Sequence, residues 1–557
     1  MKLRYTYILF FVVAFGTVSA QTDDKSSLQR TVTIEKEFTP IVQDASKINS
    51  VPELEVSPSV NPNIQYAEWS TPQKEAPSLT LLPLGDNGVE SPTKQRGYAQ
   101  IEIGNYLNLN ANAGLRIIDK KKDQLFIWYQ HNSTNGTLSY LEDTTKTKQR
   151  RNDNRLHLNY SHEFNRLYWL TSVHYRYNGF NYYGLPFDKI SDSSLSTTTN
   201  QQTVQQYGFD TKVTSKSDDN LHYIAEINYH AYNSDLGLFY GQRGVLENHL
   251  TTFFDGNISL NDHQAAGIIL RMDNLIYNRC EKRSYTQLRI NPYFTLQSEK
   301  IHFKIGLLAD FSAHEGTVLR LAPDLNFEWE FERDCFFYAQ LTGGKTINSW
   351  EKMSDFIVYI DPTSAMKNSY TPVDFTGGFH VQPIQKLLFS VYGGIKRCVD
   401  ALFDYRQTSV VRPVVSFYNA TAYAWKAGAK IQYTFCRFLD AHLSWEHNEW
   451  HATNGKMRVL SAQPQNTWNM GVMVTPIKPL DITADVYLAN GLGCNIGQTN
   501  YEKLPNIATV NIGGIYRLNK HVHFSAQCNN LLSKHYDIFY GMPAQRFNFL
   551  VGAGVVF

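Results

Sequence analysis

The chain has 557 residues, with 52 Lys plus Arg against 51 Asp plus Glu for a formal net charge of +1, a balance that argues against a nucleic-acid binder, which would carry a basic stripe. Aromatic residues make up 13%, with 34 Tyr and 32 Phe, yet no segment beyond the amino terminus stays apolar for the ~18 to 20 residues of a membrane-spanning helix. Rich in aromatics and polar on average, the composition suits alternating strands better than buried helices.

At the amino terminus, Lys2 and Arg4 precede the apolar run "YILFFVVAFG", and Val18-Ser19-Ala20 stand just before Gln21. This is the pattern of a secretory signal cleaved after Ala20, with a run too short to anchor the chain. Gln21 in place of Cys offers no site for a lipid-anchored amino terminus.

Residues 21 to 96 hold 8 of the 20 prolines, a density that opposes both helix and paired strand, so 50 to 96 read as an extended tether. Within "TVTIEKEFTPIVQDASKIN", Val32, Ile34 and Phe38 fit a short alternating strand. Thr39 can then cap a helix with Pro40 at its first position and an apolar stripe of Ile41, Ala45 and Ile48. The sharper expectation is a partner-docking segment at 31 to 49; the alternative is a disordered leader.

From Gly97 to the end the pattern is uniform. In "YAWKAGAKIQYTF", Tyr423, Trp425, Ala427, Ala429, Ile431, Tyr433 and Phe435 alternate with largely polar residues. Arginine is accordingly expected to be costly at lipid-facing Ala427 and tolerated at lumen-facing Gly428. Tight turns such as "EFN", "ND", "SE" and "PIK" alternate with long polar stretches near 132 to 152, 178 to 201, 233 to 246, 344 to 370, 398 to 420, 449 to 465, 490 to 505 and 532 to 544. Short turns at one end and long loops at the other are the signature of an outer-membrane barrel. The fold class predicted is therefore all-β, a transmembrane antiparallel up-and-down β-barrel of about 22 strands over 97 to 557, with 20 as the fallback if "IGNYLNLNANAG" holds no break.

The chain ends on "FNFLVGAGVVF", in which Phe547, Phe549, Val551, Val555 and Phe557 share one face. An outer-membrane strand leaves no unpaired backbone in lipid, so this strand is expected to close the cylinder on the first one. The six cysteines, scattered from Cys280 to Cys528, form no paired spacing for zinc and give no support to a disulfide.

Little else suggests chemistry. His442, Ser444 and Glu446 lie on one face of "AHLSWEH", but same-face neighbours on a strand stand ~6 to 7 Å apart, beyond a proton relay's reach. His447 and His451 are four apart in a stretch that reads as strand running into a solvated loop, where helical spacing has no meaning. No catalytic, cofactor-binding or metal site is expected, and no enzyme.

The stretch "VHFSAQCNNLLSKHYDIFYGMPAQRFNFLVGAGVVF", with Asn530-Leu531, Tyr536, Gly541, Pro543, Arg546 and the terminal Phe557, resembles the last two strands of TonB-dependent outer-membrane receptors. Residues 97 to 132 look like the opening of a receptor-like barrel without a conventional plug, and 21 to 96 are too few and too proline-rich for the family's folded plug. The resemblance implies solute or nutrient transport across a Gram-negative outer membrane. It also implies outer-membrane lipid and the barrel-insertion machinery as partners, with a TonB-like periplasmic protein for the 31 to 49 segment. With the plug missing, the tether, the external loops or another protein must block the lumen. The rival function is a structural or assembly subunit that recruits partners through 31 to 49.

Overall fold

A strand with two different faces has lipid or core on one side and water on the other, and the chain resolves this alternation by curling one long sheet onto itself. The computed structural model describes residues 96 to 557 except 142–144, 185–200, 217–220, 238–241, 365, 385, 408–413, 437, 454–462 and 498–499. The expected signal, the tether and the docking residues Val32, Ile34, Phe38, Ile41, Ala45 and Ile48 lie outside the described residues.

One sheet contains 24 strands. Two of them, Gly493–Ile496 and Asn500–Lys503, form a hairpin in a loop and touch the wall through Arg406↔Ile496. The other strands make a closed, antiparallel, up-and-down barrel of 22. The break in "IGNYLNLN" is real: Asn105–Leu107 forms a single tight turn, with Tyr106 and Leu107 at φ 56° and 49°.

The last strand, Asn548–Val556, pairs with Val522–Asn529 on one side and with the first, Gly97–Gly104, on the other, from Tyr98↔Val556 to Gly104↔Leu550. The terminal residue finishes the seam. The Phe557 carbonyl accepts from the amides of Arg96 at 2.6 Å and Gly97 at 2.8 Å, and its own amide donates to the Gly97 carbonyl at 2.9 Å. Its ring lies where a Cβ on Gly97 would stand 2.7 Å away. Phe547, Phe549, Val551, Val555 and Phe557 all face outward and are 36 to 57% exposed, while Leu550 between them is buried.

The same alternation holds along Val415–Cys436, where Tyr423, Trp425, Ile431 and Phe435 are exposed outward and Ala422, Ala424 and Lys426 are buried. Gly428 corrects one expectation. A side chain there would run into the Tyr392 ring, its cross-strand partner, whose hydroxyl donates to Glu446 at 2.9 Å. This lumen position is packed, so arginine at Gly428 would have to displace the Tyr392 ring.

Several expected loops are strands. The third and fourth strands, Asp123–Ser139 and Lys146–Glu163, run through most of 132 to 152, and the fifteenth and sixteenth, Leu387–Arg406 and Val415–Cys436, run through most of 398 to 420. Crossing a bilayer takes only ~9 to 11 residues, so these hairpins continue beyond the wall, where water meets both faces and the apolar alternation disappears. His447 and His451 likewise lie within a strand, Leu439–Ala452, both beside Glu449, at 3.8 and 3.2 Å. None of the six cysteines is disulfide-bonded.

Candidate functional site: the lumen and its outer mouth

Inward-facing positions of the wall carry charges that neutralise each other along a strand or across neighbouring strands. Arg289 donates twice to Asp310, at 2.7 and 3.0 Å, Arg271 twice to Asp273, at 2.8 and 3.0 Å, and Lys304 meets Asp324 at 2.8 Å. Pairing of this kind satisfies charges beside a low-dielectric wall without giving the lumen a strong field of one sign. His442, Ser444 and Glu446 belong to this lining. Glu446 accepts from Tyr392, on another strand, and is not turned toward His442.

One departure from neutrality lies on the fourth strand and the fifth, Leu167–Asn181. Asp153, almost fully buried, takes Arg176 through two bonds of 2.9 Å and also meets Arg151 at 3.1 Å and Arg155 at 3.2 Å. Three guanidinium groups share one carboxylate, and the excess positive charge is met from above: Arg176 also donates to Asp355 at 2.8 Å.

Asp355 belongs to the connection 347–368 between the thirteenth strand, Cys335–Thr346, and the fourteenth, Ser369–Ile384, which turns back onto the wall and carries the short helix Trp350–Phe356. Ser349 caps the helix by accepting from the Lys352 amide at 3.2 Å. The buried carboxylate of Glu247, on the eighth strand, accepts from the amides of Trp350 at 3.0 Å and Glu351 at 3.2 Å. An anion on exposed helix N–H groups is a favourable arrangement.

The rest of the helix is pinned strand by strand. His230 Nδ1 lies 3.1 Å from Glu351 and Gln206 donates to the Ser354 hydroxyl at 3.1 Å. Trp350, fully buried, meets Tyr277 edge to face at 5.4 Å. Lys282, in the connection after the ninth strand, lies 4.9 Å from the centre of the Tyr277 ring and 5.5 Å from those of Tyr285 and Trp350, and donates to the Asn348 carbonyl. Burial pushes its ammonium below the ordinary lysine range.

Around the helix, the outer connections form one apolar cluster. It joins Tyr182 and Tyr183 after the fifth strand, Met353, Tyr359 and Ile360 from 347–368, and Phe539 and Met542 from the connection before the last strand. Tyr359 meets Phe180 at 5.4 Å and Tyr183 at 5.5 Å, and Phe356 meets Phe539 at 5.8 Å. Elements so far apart around the wall can share one cluster only by bridging the mouth. We call this cluster with its helix the lid.

Below it runs a row of directly paired residues: Trp128↔His157, His157↔His174, His174↔Gly208, Gly208↔His230 and His230↔His249. Trp128 stacks on His157 at 4.1 Å, and His157 on His174 at 5.3 Å. A side chain at 208 would fall inside the His174 ring, so glycine there lets the rings of His174 and His230 approach to 5.0 Å. Sequence reasoning missed both features. The row exists only in the cross-strand register, and the helix is too short to show periodicity, although "NSWEKMSDF" holds a capping serine with an acidic first turn.

No protein-family model matches the chain, and no curated protein matches it in sequence. Solved structures do match in fold. The ferric enterobactin receptor of Pseudomonas aeruginosa aligns over 84% of this chain and 81% of its own, at 11% identity and a TM-score of 0.65. The FrpB iron transporter from Neisseria meningitidis aligns over 85% and 82%, at 12% identity and 0.63, and the copper transporter OprC over 83% and 80%, at 11% identity and 0.62. These similar proteins are receptors and transporters. The 22-stranded barrel of this chain is the fold of the TonB-dependent outer-membrane receptors.

Proposed function

We propose that the protein is a non-enzymatic outer-membrane barrel that passes a solute through its lumen, with the folded lid 347–368 as the gate at the outer mouth. The observation that carries this reading is the way the lid is held. Its helix meets the wall through separate polar contacts, Arg176 with Asp355, His230 with Glu351 and Glu247 with the helix amides, each of which can break without unfolding a strand. Asp355 is well exposed, and exposed ion pairs contribute only about 0.2–1 kcal/mol, so its contact with Arg176 suits an element that moves. The fold shared with iron and copper transporters supports passage without naming a cargo.

Residues 31 to 49 would then dock a TonB-like periplasmic protein by adding a strand to its sheet edge. Cells producing the Glu351→Ala/Asp355→Ala double variant should become sensitive to vancomycin, too large for ordinary porins, at several-fold lower concentration than cells with the wild-type protein. Unchanged sensitivity with the variant inserted at wild-type level would favour the assembly-subunit reading.

A further inference from the structure

We propose that His174, Asp210 and His230 form a binding site for a divalent transition-metal cation of the zinc, cobalt or copper class, and that the cation clamps the lid through Glu351. The site lies on the lumen side of the fifth strand and of the sixth and seventh, Gln201–Ser215 and Leu221–Ser234. His174 Nδ1 lies 3.4 Å from Asp210 Oδ2, and His230 Nε2 lies 2.9 Å from Asp210 Oδ1. One donor atom from each residue lies within 4.8 Å of the other two. A tetrahedral cation with bonds of about 2.1 Å separates its donors by about 3.4 Å, so these side chains need only small movements to hold one.

Three further features fit a metal centre. Gly208 stands in the register between the two histidines, and any larger residue would drive the His174 ring away. His230 has a carboxylate at each ring nitrogen, Asp210 at Nε2 and Glu351 at Nδ1. A cation at Nε2 with the N–H at Nδ1 turned to Glu351 fits these two partners, and a metal-bound histidine usually has its free N–H held by a carboxylate. Finally, Ser172 donates to Asp210 Oδ2 at 3.2 Å, fixing the third donor from outside. The set of two imidazoles and a carboxylate suits borderline metals better than calcium or magnesium, which take oxygen ligands.

The clamp follows from the position of Glu351. It sits on the lid helix and touches the site only through His230, so a cation that orders and polarises this imidazole strengthens the lid's contact with the wall. This coupling rests on the lid reading above; the binding site does not.

The test uses the full chain, freed of metal by chelation and folded in detergent. Titration with Zn2+ should give one site per chain, and Co2+ should give the visible absorption of a four-coordinate site with nitrogen ligands. Affinity should fall at least 100-fold in His174→Ala, His230→Ala and Asp210→Asn, about tenfold in Glu351→Gln, in keeping with the loss of an outer-shell carboxylate, and stay unchanged in His249→Ala. Heat-modifiable mobility reports that each variant is folded. Zn2+ should also slow amide hydrogen exchange in the peptide covering 347–368 severalfold in the wild type and not in Glu351→Gln. Zn2+ binding retained in a folded His174→Ala/Asp210→Asn/His230→Ala variant, or no binding by the wild type, overturns the site. Binding without slowed exchange overturns the clamp. Neither outcome bears on whether the barrel conducts.

Discussion

At the scale of the residue, the contrast between the two faces of the wall sets the energetics. Ala427 points outward between exposed Tyr423, Trp425 and Ile431, whereas Gln432, five residues on, is exposed on the lumen side. Ala427→Arg should therefore destabilise the folded barrel by ~2–4 kcal/mol and Gln432→Arg by less than about 1 kcal/mol, as read from reversible urea unfolding in lipid vesicles. Equal losses at the two positions would mean that this strand's facing is wrong. Gly428 shows where alternation alone misleads. Period-2 reasoning identifies a lumen-facing position but not its crowding, and only the pairing of Gly428 with Tyr392 reveals that the space is filled. The histidine row is hidden for a related reason. His157, His174, His230 and His249 are each ordinary polar residues on the inner face of their own strands, and they meet only when four strand registers are laid side by side.

At the scale of the element, the last strand was readable because lipid imposes strict alternation on it. Its backbone bonds to Gly97 and Arg96 show why the last residue matters: without them the seam has unpaired groups at the bilayer edge. Deleting Val555–Phe557 removes the Tyr98↔Val556 and Ala99↔Val555 pairings, and the truncated chain should lose heat-modifiable mobility and accumulate outside the membrane fraction. Normal insertion of the truncated protein would refute this role. The outer hairpins were less readable. Beyond the bilayer nothing forces one face to be apolar, so stretches such as "NSTNGTLS" look like loops although they are paired through to Ser139↔Lys146. The lid helix was concealed by its length, since seven residues make two turns and its stability comes from Glu247, His230 and Arg176 on other strands.

At the scale of the whole molecule, the strand count and closure followed from the alternating connections, whereas what closes the lumen did not. The tether, the loops and a partner protein were all open candidates on sequence grounds, and the packed cluster at the mouth gives the loops a concrete part. The central claim is that a conducting lumen lies behind this lid. It is tested most directly by single-channel recording in planar bilayers, comparing the full chain, the chain without residues 21 to 96, and each of these carrying Glu351→Ala/Asp355→Ala. The account predicts a quiet wild-type protein and openings that are longer and more frequent in the lid variants, greatest where 21 to 96 are also removed. Four proteins that insert with normal heat-modifiable mobility and yet never conduct would contradict it.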